Sequence, residues 1–362
     1  MRSAQHSPRR STPVQPSGTV ARLPPRARVE RLLEVARGKR RGVIFTHDNP
    51  DPDSMAAAVA LAYLLEVKAG VPCKVAYGGI IGRAENRAFV EVLKLPVVHA
   101  SELDPTDFDL RGVVDTQPCV GNHSIPAGLP VQVVVDHHPL RDASLSAPFA
   151  DVGGDFGATS TMLVEYLRAA RVEPPEEVAT ALFYGVKADT RDLGRETTPA
   201  DIDAYLWLFP RSDRQKLARI EHPDLPRKYF ALYHGAYERA KVHDAVLTDL
   251  GEVYSPDMVA EVAERLMSLE GMRWSLAWGS YRSQLFFSLR TRDRRMNAGR
   301  LIREACAGRG GSAGGHGSMA GARLPLWGTR AQRAAFRREL VRGFLEAFGQ
   351  ADTRPEPLLQ EP

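Results

Sequence analysis

The chain has 362 residues, of which 43% are hydrophobic and 25% charged, the balance of a soluble globular protein long enough for two domains. It contains no apolar run as long as a membrane-spanning helix, which argues against a membrane partner. The three cysteines are scattered and form no CxxC pair. We therefore expect a cytoplasmic protein from a reducing compartment.

The net charge of +4 is unevenly distributed. Residues 1–41 contain 11 basic and 2 acidic residues, so they carry +9, while the remainder carries −5. Residues 1–27 are rich in Ser, Pro, Gln and Arg and lack the apolar core of a secretory signal, which predicts a disordered basic tail. The acidic remainder lacks a basic stripe with interleaved aromatic residues, so we expect no long duplex or long single strand as partner.

Short Val-rich segments alternate with helical patterns along residues 28–210. This alternation predicts an α/β fold with a doubly wound, mostly parallel sheet. Ser54 is predicted to cap the helix over 55–69, and Thr159 or Ser160 the helix over 159–170. The predicted strands are 42–46, 71–77, 111–114 and 131–135, and the remaining predicted helices are 27–38, 85–93 and 176–187.

A second, smaller α/β domain is predicted for residues 236–350, after a helical linker over 211–235. Its predicted helices are 258–269, 298–307 and 330–348, and its predicted strands are 273–279 and 284–290. The glycine-rich stretch 308–321 is expected to form a loop.

The segment that directly follows the first predicted strand contains one imidazole and three carboxylates, in the order HDNPDPD over residues 47–53. Crowded carboxylates repel one another and are costly to desolvate, and a divalent cation removes both penalties. Carboxylate and imidazole ligands suit Mn²⁺, Fe²⁺ or Zn²⁺. An Asp-Pro cluster also forms ordinary turns, so this motif needs partners elsewhere in the chain.

Matching groups follow two other strands and one helix. Asp115 follows the strand over 111–114, Asp136-His137-His138 follow the strand over 131–135, and Asp189 follows the helix over 176–187. Because the carboxyl ends of parallel strands share one edge of a sheet, these groups should converge. The set has the size that two divalent ions need, with one bridging carboxylate.

Together these motifs resemble those of the DHH phosphoesterase family, in the two-domain bacterial branch that degrades very short oligoribonucleotides. The motifs of that family are matched by His47, Asp51 and Asp53, then Asp115, then Asp136-His137-His138, and finally Asp189.

The resemblance implies two divalent ions, taken to be Mn²⁺, and a role for each matched residue. His47 and Asp51 would hold the first ion, and Asp53, His137 and Asp189 the second. Asp115 would bridge both ions. His138 would contact the reacting phosphate, while Asp136 would orient the histidines.

The resemblance extends to the DHH-associated domain, whose signature is a Gly-Gly-His loop that closes in Ala-Gly; here residues 314–321 read GGHGSMAG. Glycines let backbone N–H groups approach a phosphate, and an arginine can grip one with two bonds. The expected substrate-contacting residues are Arg290, Asn297, Gly314, Gly315 and His316, with Arg83 as a further candidate.

The expected function is hydrolysis of dinucleotides and short oligoribonucleotides to mononucleotides by water that two metal ions activate, with 3′-phosphoadenosine 5′-phosphate as a second substrate. One alternative is a pyrophosphatase or exopolyphosphatase of the same family, a branch with a different C-terminal domain. The other alternative is a nucleotide-binding regulator without catalysis, against which the complete ligand set argues. The sequence leaves base preference and a homodimer open.

Overall fold

The computed structural model describes residues 22–293, 295–350 and 353–359. In the first domain, six strands form one sheet in which every pair is parallel. They are β1 Gly42–Phe45, β2 Cys73–Tyr77, β3 Val97–His99, β4 Leu110–Val114, β5 Val133–Asp136 and β6 Phe149–Val152. Their order is β3-β2-β1-β4-β5-β6, so the direction of winding reverses between β1 and β4.

Seven helices accompany this sheet in the described residues. They are α1 Pro25–Ala36, α2 Pro52–Ala69, α3 Ala84–Leu93, α4 Thr159–Ala169, α5 Glu176–Asp189, α6 Pro199–Leu208 and α7 Arg214–Glu221. One sheet face, with Ile44 and Val135, packs in the core that these helices share. The other face, with Phe45 and Val134, packs under Phe108 and other residues of irregular segments. The parallel α/β sheet is confirmed, with α-helical cover on one face.

Two predicted helix caps are wrong. Helix α2 begins at Pro52, and its cap is Asp51, whose carboxylate accepts a hydrogen bond from the Ser54 N–H at 2.9 Å. Proline fits the first helical position because no N–H is needed there. Helix α4 begins at Thr159 after Ala158, and no side chain of its own caps it. The N–H groups at the start of α4 donate instead to the carboxylate of Asp53.

Residues 1–21 of the predicted basic tail lie outside the described residues, but 22–27 are ordered against the first domain. The Arg22 guanidinium donates to both oxygens of Asp151 at 2.9 and 2.8 Å. Arg28, which is buried, donates to Asp151 and Glu165. Buried carboxylates need such partners. The predicted tail is therefore wrong for its last six residues.

The second domain is a mixed sheet with helices on both faces. Its elements are α8 Arg227–Arg239, β7 Lys241–Val242, β8 Ala245–Glu252, α9 Asp257–Leu266, β9 Trp274–Tyr281, β10 Gln284–Thr291, α10 Ala298–Cys306, β11 Ser312–His316, β12 Met319–Pro325, α11 Arg330–Ala347 and β13 Glu356–Pro357. The order is β11-β12-β10-β9-β8-β7-β13, with β8 and β9 parallel. Helices α10 and α11 share one core, and α8 and α9 another.

The glycine-rich segment is a hairpin rather than the predicted loop. Strand β11 pairs antiparallel with β12 from Ser312↔Arg323 to His316↔Met319. Glycine has no side chain to show strand alternation, so the sequence pattern could not reveal this strand.

The two cores also locate the connection between the domains. Leu217 and Ile220 belong to the first core, and Tyr229 and Ala236 to the second. Residues 222–226 lie between them, within the predicted linker. None of the helices in the described ranges combines the length and apolar character needed to cross a bilayer.

Candidate metal centre

The predicted metal ligands converge at one edge of the parallel sheet. His47 and Asp51 follow β1, Asp115 follows β4 directly, and Asp136 is the last residue of β5. Because the winding reverses between β1 and β4, a crevice opens beyond their carboxyl ends, which is where open α/β sheets bind ligands. Asp189, at the end of α5, reaches the same crevice.

Two histidines are held so that their Nε2 atoms face carboxylates. Nδ1 of His47 lies 3.0 Å from the Asp48 carbonyl oxygen, and Nδ1 of His137 lies 3.1 Å from that of Phe156. A carbonyl oxygen only accepts hydrogen bonds, so each Nδ1 carries a proton, and in the neutral imidazole each Nε2 is the nitrogen that can bind a metal ion. The Nε2 of His137 is buried and has no hydrogen-bond partner in the described part of the chain, a position that a bound cation would satisfy.

Asp115 stands between these two histidines. Its Oδ2 lies 3.6 Å from His47 Nε2, and its Oδ1 lies 3.6 Å from His137 Nε2. The Thr159 hydroxyl donates to Oδ1 at 2.9 Å, and the Asp115 backbone has a left-handed φ of 55°, which is uncommon for a residue with a side chain. One carboxylate oxygen thus faces each histidine, as a bridging ligand requires.

Asp53 is fixed by the start of α4. Its two carboxylate oxygens accept hydrogen bonds from the backbone N–H groups of Thr159 at 2.7 Å and Ser160 at 2.8 Å. A helix N-terminus presents free N–H groups and favours negative charge. Asp53, distant in sequence, therefore supplies the cap that was predicted for Thr159 or Ser160.

Three groups of side chains bring their ligand atoms within 4.8 Å of one another. They are His47, Asp51 and Asp115; then Asp53, His137 and Asp189; and finally Asp115, His137 and His138. The first two contain the residues assigned by resemblance to the two ions. The donors are imidazole nitrogens and carboxylate oxygens, the chemistry that Mn²⁺ and neighbouring metals accept. The residues therefore fit a divalent metal ion, and both the number of ions and the identity of the metal stay predictions.

The carboxylates repel one another in the absence of cations. Burial, together with Asp115 and Asp189, raises the pKa of Asp53 well above its usual value. Burial, with Asp51 and Asp115, raises the pKa of Asp189 to about 6. Burial disfavours protonated His47, but Asp51 and Asp115 overcome this effect and raise the pKa of His47 well above 6.5. The cluster thus binds protons when no metal is present.

Asp136 was expected to orient both histidines; it contacts His138, whereas His137 is held by the Phe156 carbonyl. Nδ1 of His138 lies 2.8 Å from Asp136 Oδ1, and this hydrogen bond, with other nearby carboxylates, raises the pKa of His138 to about 9. The other Asp136 oxygen accepts from the Gln117 amide at 2.7 Å. The side chain of His138 is 51% exposed, so its outer N–H is available to a ligand.

Several supporting residues were not predicted. Gln117 holds Asp136, Thr159 holds Asp115, and Arg195 lies 3.6 Å from Asp189 Oδ1. The Asn86 amide donates to the Pro50 carbonyl at 3.2 Å and so fixes the loop of residues 47–53. Gln117 and Arg195 are single polar residues of irregular segments, and Thr159 and Asn86 lie in the first turns of helices. The contacts that they make join residues distant in sequence, so the local pattern carries no signal of them.

Three of the predicted substrate residues of the second domain, Arg290, Gly314 and His316, occupy positions on one sheet face. Arg290 is paired with Met319, and Met319 with His316, so these three positions form one cross-strand row. The next row on that face contains Ser288, Gly321 and Gly314. A Cβ atom added at Gly314 would meet nothing within 4 Å, whereas one at Gly315 would lie 2.4 Å from the Met319 carbonyl oxygen. Gly315 is therefore required for close packing within the hairpin. Gly314 leaves the sheet face bare, with open space above it.

The remaining two candidates have structural contacts. Asn297 caps α10, its side-chain oxygen accepting from the Arg300 N–H at 3.0 Å. Arg83 precedes α3 and donates to Glu264 of α9 at 3.1 Å, a contact between the two domains.

Family comparison matches both domains. The description "DHH family, N-terminal domain" matches residues 41–186, and "DHHA1 domain" matches residues 241–346.

Relatives with similar sequences include an uncharacterised protein of Methanocaldococcus jannaschii, 33% identical over 287 residues that cover 78% of this chain. This chain spans 58% of that protein's length. A "probable manganese-dependent inorganic pyrophosphatase" of Staphylococcus aureus is 25% identical over 149 residues, which cover 41% of this chain and 47% of that protein.

The crystal structure of an exopolyphosphatase-related protein from Bacteroides fragilis is similar in fold. The TM-score is 0.68 at 15% sequence identity, over 88% of this chain and 96% of that chain.

The raised pKa values predict how metal binding depends on pH. Below about pH 6, Asp189 is protonated in the metal-free protein, and protons on Asp53 and His47 compete in the same way. Groups with a raised folded-state pKa stabilise the metal-free protein at low pH and lose that contribution as the pH rises. Mn²⁺ should therefore raise the melting temperature more at pH 8 than at pH 5.5, as measured by thermal unfolding with and without the ion. An equal rise at both pH values would contradict this prediction.

Proposed function

The chain carries the two domains of the DHH family, a DHH domain followed by a DHHA1 domain, and from that premise we propose that it is a metal-dependent phosphoesterase of dinucleotides and short oligoribonucleotides. The observation that carries the proposal is that the ligand cluster and a cationic face of the second domain meet at one interdomain contact. Arg191, two residues after Asp189, lies 3.5 Å from Glu264 of α9, and the charge of Glu264 acts on Arg290.

The two domains carry opposite charge, which suits an anionic substrate held between them. Residues 42–240 carry a net −9 and residues 241–350 a net +6. A phosphate is attracted to the second domain and repelled by the first until cations neutralise its carboxylates. Substrate binding should therefore depend on metal binding.

The chain's own groups have distinct tasks in the proposed reaction. When bound, two divalent ions, Mn²⁺ in this proposal, supply Lewis acidity that activates water and polarises the phosphate. His47, Asp51 and Asp115 would hold one of these ions, and Asp53, His137 and Asp189 would hold the other. Protonated His138, fixed through Nδ1 by Asp136, donates its outer N–H to the phosphoryl oxygen on which charge accumulates.

We expect short substrates because ion pairs join the two domains near the metal centre. The Arg83–Glu264 and Arg191–Glu264 pairs join the start of α3 and the end of α5 to α9. A long strand would have to pass these contacts, whereas a dinucleotide can lie between the metal centre and the bare face at Gly314. Hydrolysis of 3′-phosphoadenosine 5′-phosphate belongs to the same proposal, since that molecule also places two phosphates on one nucleoside.

The proposal is tested by product release from the purified chain with Mn²⁺. The substrates are a 5′-phosphorylated diadenylate, 3′-phosphoadenosine 5′-phosphate, a long single strand and inorganic pyrophosphate, and the blank is Asp115→Asn. We expect rapid turnover of the first two substrates and none with the blank. Preference for pyrophosphate would favour the activity in the name of the Staphylococcus aureus relative, and preference for the long strand would contradict the short-substrate assignment.

The bare face at Gly314 gives a second prediction. Gly314→Val introduces a side chain where no atom lies within 4 Å of the added Cβ, and valine suits a strand. The variant should keep its melting temperature, while KM for the diadenylate rises at least about tenfold through lost space for the nucleoside. Ser312→Val is the matched control, because Ser312 lies on the same face one row farther from Arg290. Equal effects of both variants would exclude this face as the nucleoside site.

A further inference from the structure

The segment that precedes α1 is anchored one strand away from the metal centre. Arg22 donates through Nε and Nη2 to the two carboxylate oxygens of Asp151 at 2.9 and 2.8 Å, a two-bond geometry that fixes the orientation of a guanidinium as well as its position. Asp151 lies in β6 and is paired with Val135 of β5, and His137 directly follows β5. Arg22 is therefore fixed to the strand next to the one that presents a predicted metal ligand.

The same guanidinium also covers the side chain of Phe156. Cζ of Arg22 lies 4.2 Å from the centre of the Phe156 ring, which is within the range of a cation–π contact. Gly154 leaves the space for this contact, since a Cβ atom added there would lie 2.5 Å from Nη1 of Arg22. Arg22 thus connects the edge of the sheet to the loop over residues 153–157.

This loop depends on contacts with other parts of the chain. It contains Gly153 and Gly154 with φ values of 77° and 104°, and glycine lets a backbone adopt many other conformations. At the two ends of the loop, the Gly153 N–H donates to the Asp136 carbonyl at 2.8 Å and the Gly157 N–H donates to the Asp201 carboxylate at 2.8 Å. Between these ends, the Phe156 ring packs at the margin of the first core, under Arg22.

The backbone of Phe156 orients His137. Its carbonyl oxygen lies 3.1 Å from Nδ1 of His137, and the opposite ring nitrogen, Nε2, is buried without a hydrogen-bond partner in the residues that the structure describes. A hydrogen bond to one ring nitrogen sets the direction in which the other faces a metal ion. A displaced Phe156 would therefore turn the imidazole away from the carboxylates that share its predicted ion.

We propose that Arg22 is a positioning residue of the metal centre. It holds Phe156, and through the Phe156 carbonyl it keeps the His137 imidazole in the orientation that binds a metal ion. Arg22 precedes residues 41–186, the part of the chain that matches the DHH family, so this chain uses a residue outside that part to set its affinity for metal. The inference rests on the metal centre of the proposed function.

The first test is the affinity of the metal-free full chain for Mn²⁺, measured by titration calorimetry. Arg22→Ala should raise the Kd of a binding step at least about tenfold, the effect expected when the support of a metal ligand is lost. Arg22→Lys should recover part of the affinity, because lysine keeps the charge but not the planar two-bond contact. An unchanged Kd in Arg22→Ala would overturn the proposal.

Two control variants separate positioning from general stability. Arg26→Ala removes an arginine of the same segment whose side chain is 83% exposed and pairs with Glu30, and the Kd should stay unchanged. Arg28→Lys disturbs a buried arginine that also binds Asp151 but lies over Tyr166 rather than Phe156. It should lower the melting temperature and leave the Kd unchanged. An equal loss of affinity in Arg28→Lys would overturn the role of Phe156.

A double-mutant cycle tests the path from Arg22 through Phe156. Phe156→Ala keeps the carbonyl and removes the ring that Arg22 covers, so it should weaken Mn²⁺ binding as Arg22→Ala does. In the Phe156→Ala background, Arg22→Ala should then change the Kd by less than about twofold, because residues that act through one contact are not additive. Additive effects of the two substitutions would overturn the proposed path.

A measurement without metal separates failure of this inference from failure of the proposed function. Nitrogen-15 NMR of the histidine-labelled, metal-free full chain follows the exchange of each Nδ1–H with water. In Arg22→Ala we expect faster exchange for His137 and unchanged exchange for His47, whose Nδ1 faces the Asp48 carbonyl. If the unaltered chain binds no Mn²⁺ but this difference is found, the proposed function fails and the positioning of His137 by Arg22 stands. Equal exchange of the His137 proton in both chains would overturn the inference.

Discussion

The mutual repulsion of buried carboxylates at the end of a parallel sheet is the constraint on which this structure depends. Burial and neighbouring carboxylates raise the pKa of Asp53 and of Asp189, so the fold stores an electrostatic penalty at one place. Hydrogen bonds reduce part of this penalty, because the α4 N-terminus donates to Asp53 and the Thr159 hydroxyl donates to Asp115. The rest needs cations, and the two histidines present their Nε2 lone pairs to the same space.

The second domain carries a net positive charge, opposite to that of the first domain. In the proposed function its face at Arg290 and Gly314 binds a phosphate and a nucleoside, whereas the first domain is anionic in the absence of metal. Glu264 of the second domain links the two domains, since it pairs with Arg83 and Arg191 of the first domain.

The sequence predicted the parts of the fold that depend on local pattern. Val-rich strands β1, β4 and β5 and the apolar helix α2 were predictable, because buried parallel strands are continuous apolar runs. The convergence of His47, Asp115 and His137 followed from strand topology, because each follows the carboxyl end of a parallel strand. The hairpin of β11 and β12 was missed because glycine shows no alternation. The cap of α4 by Asp53 and the support of Asp136 by Gln117 join residues distant in sequence, which no local pattern records.

The most direct test of the account is the anomalous scattering of manganese in crystals of the full chain grown with Mn²⁺. We expect two manganese peaks about 3.5–4 Å apart, the spacing of two-metal sites. One should lie by His47 and Asp51, the other by Asp53, His137 and Asp189, with Asp115 between them. A single peak, or peaks held by other residues, would contradict the claim that this carboxylate cluster is built for two ions.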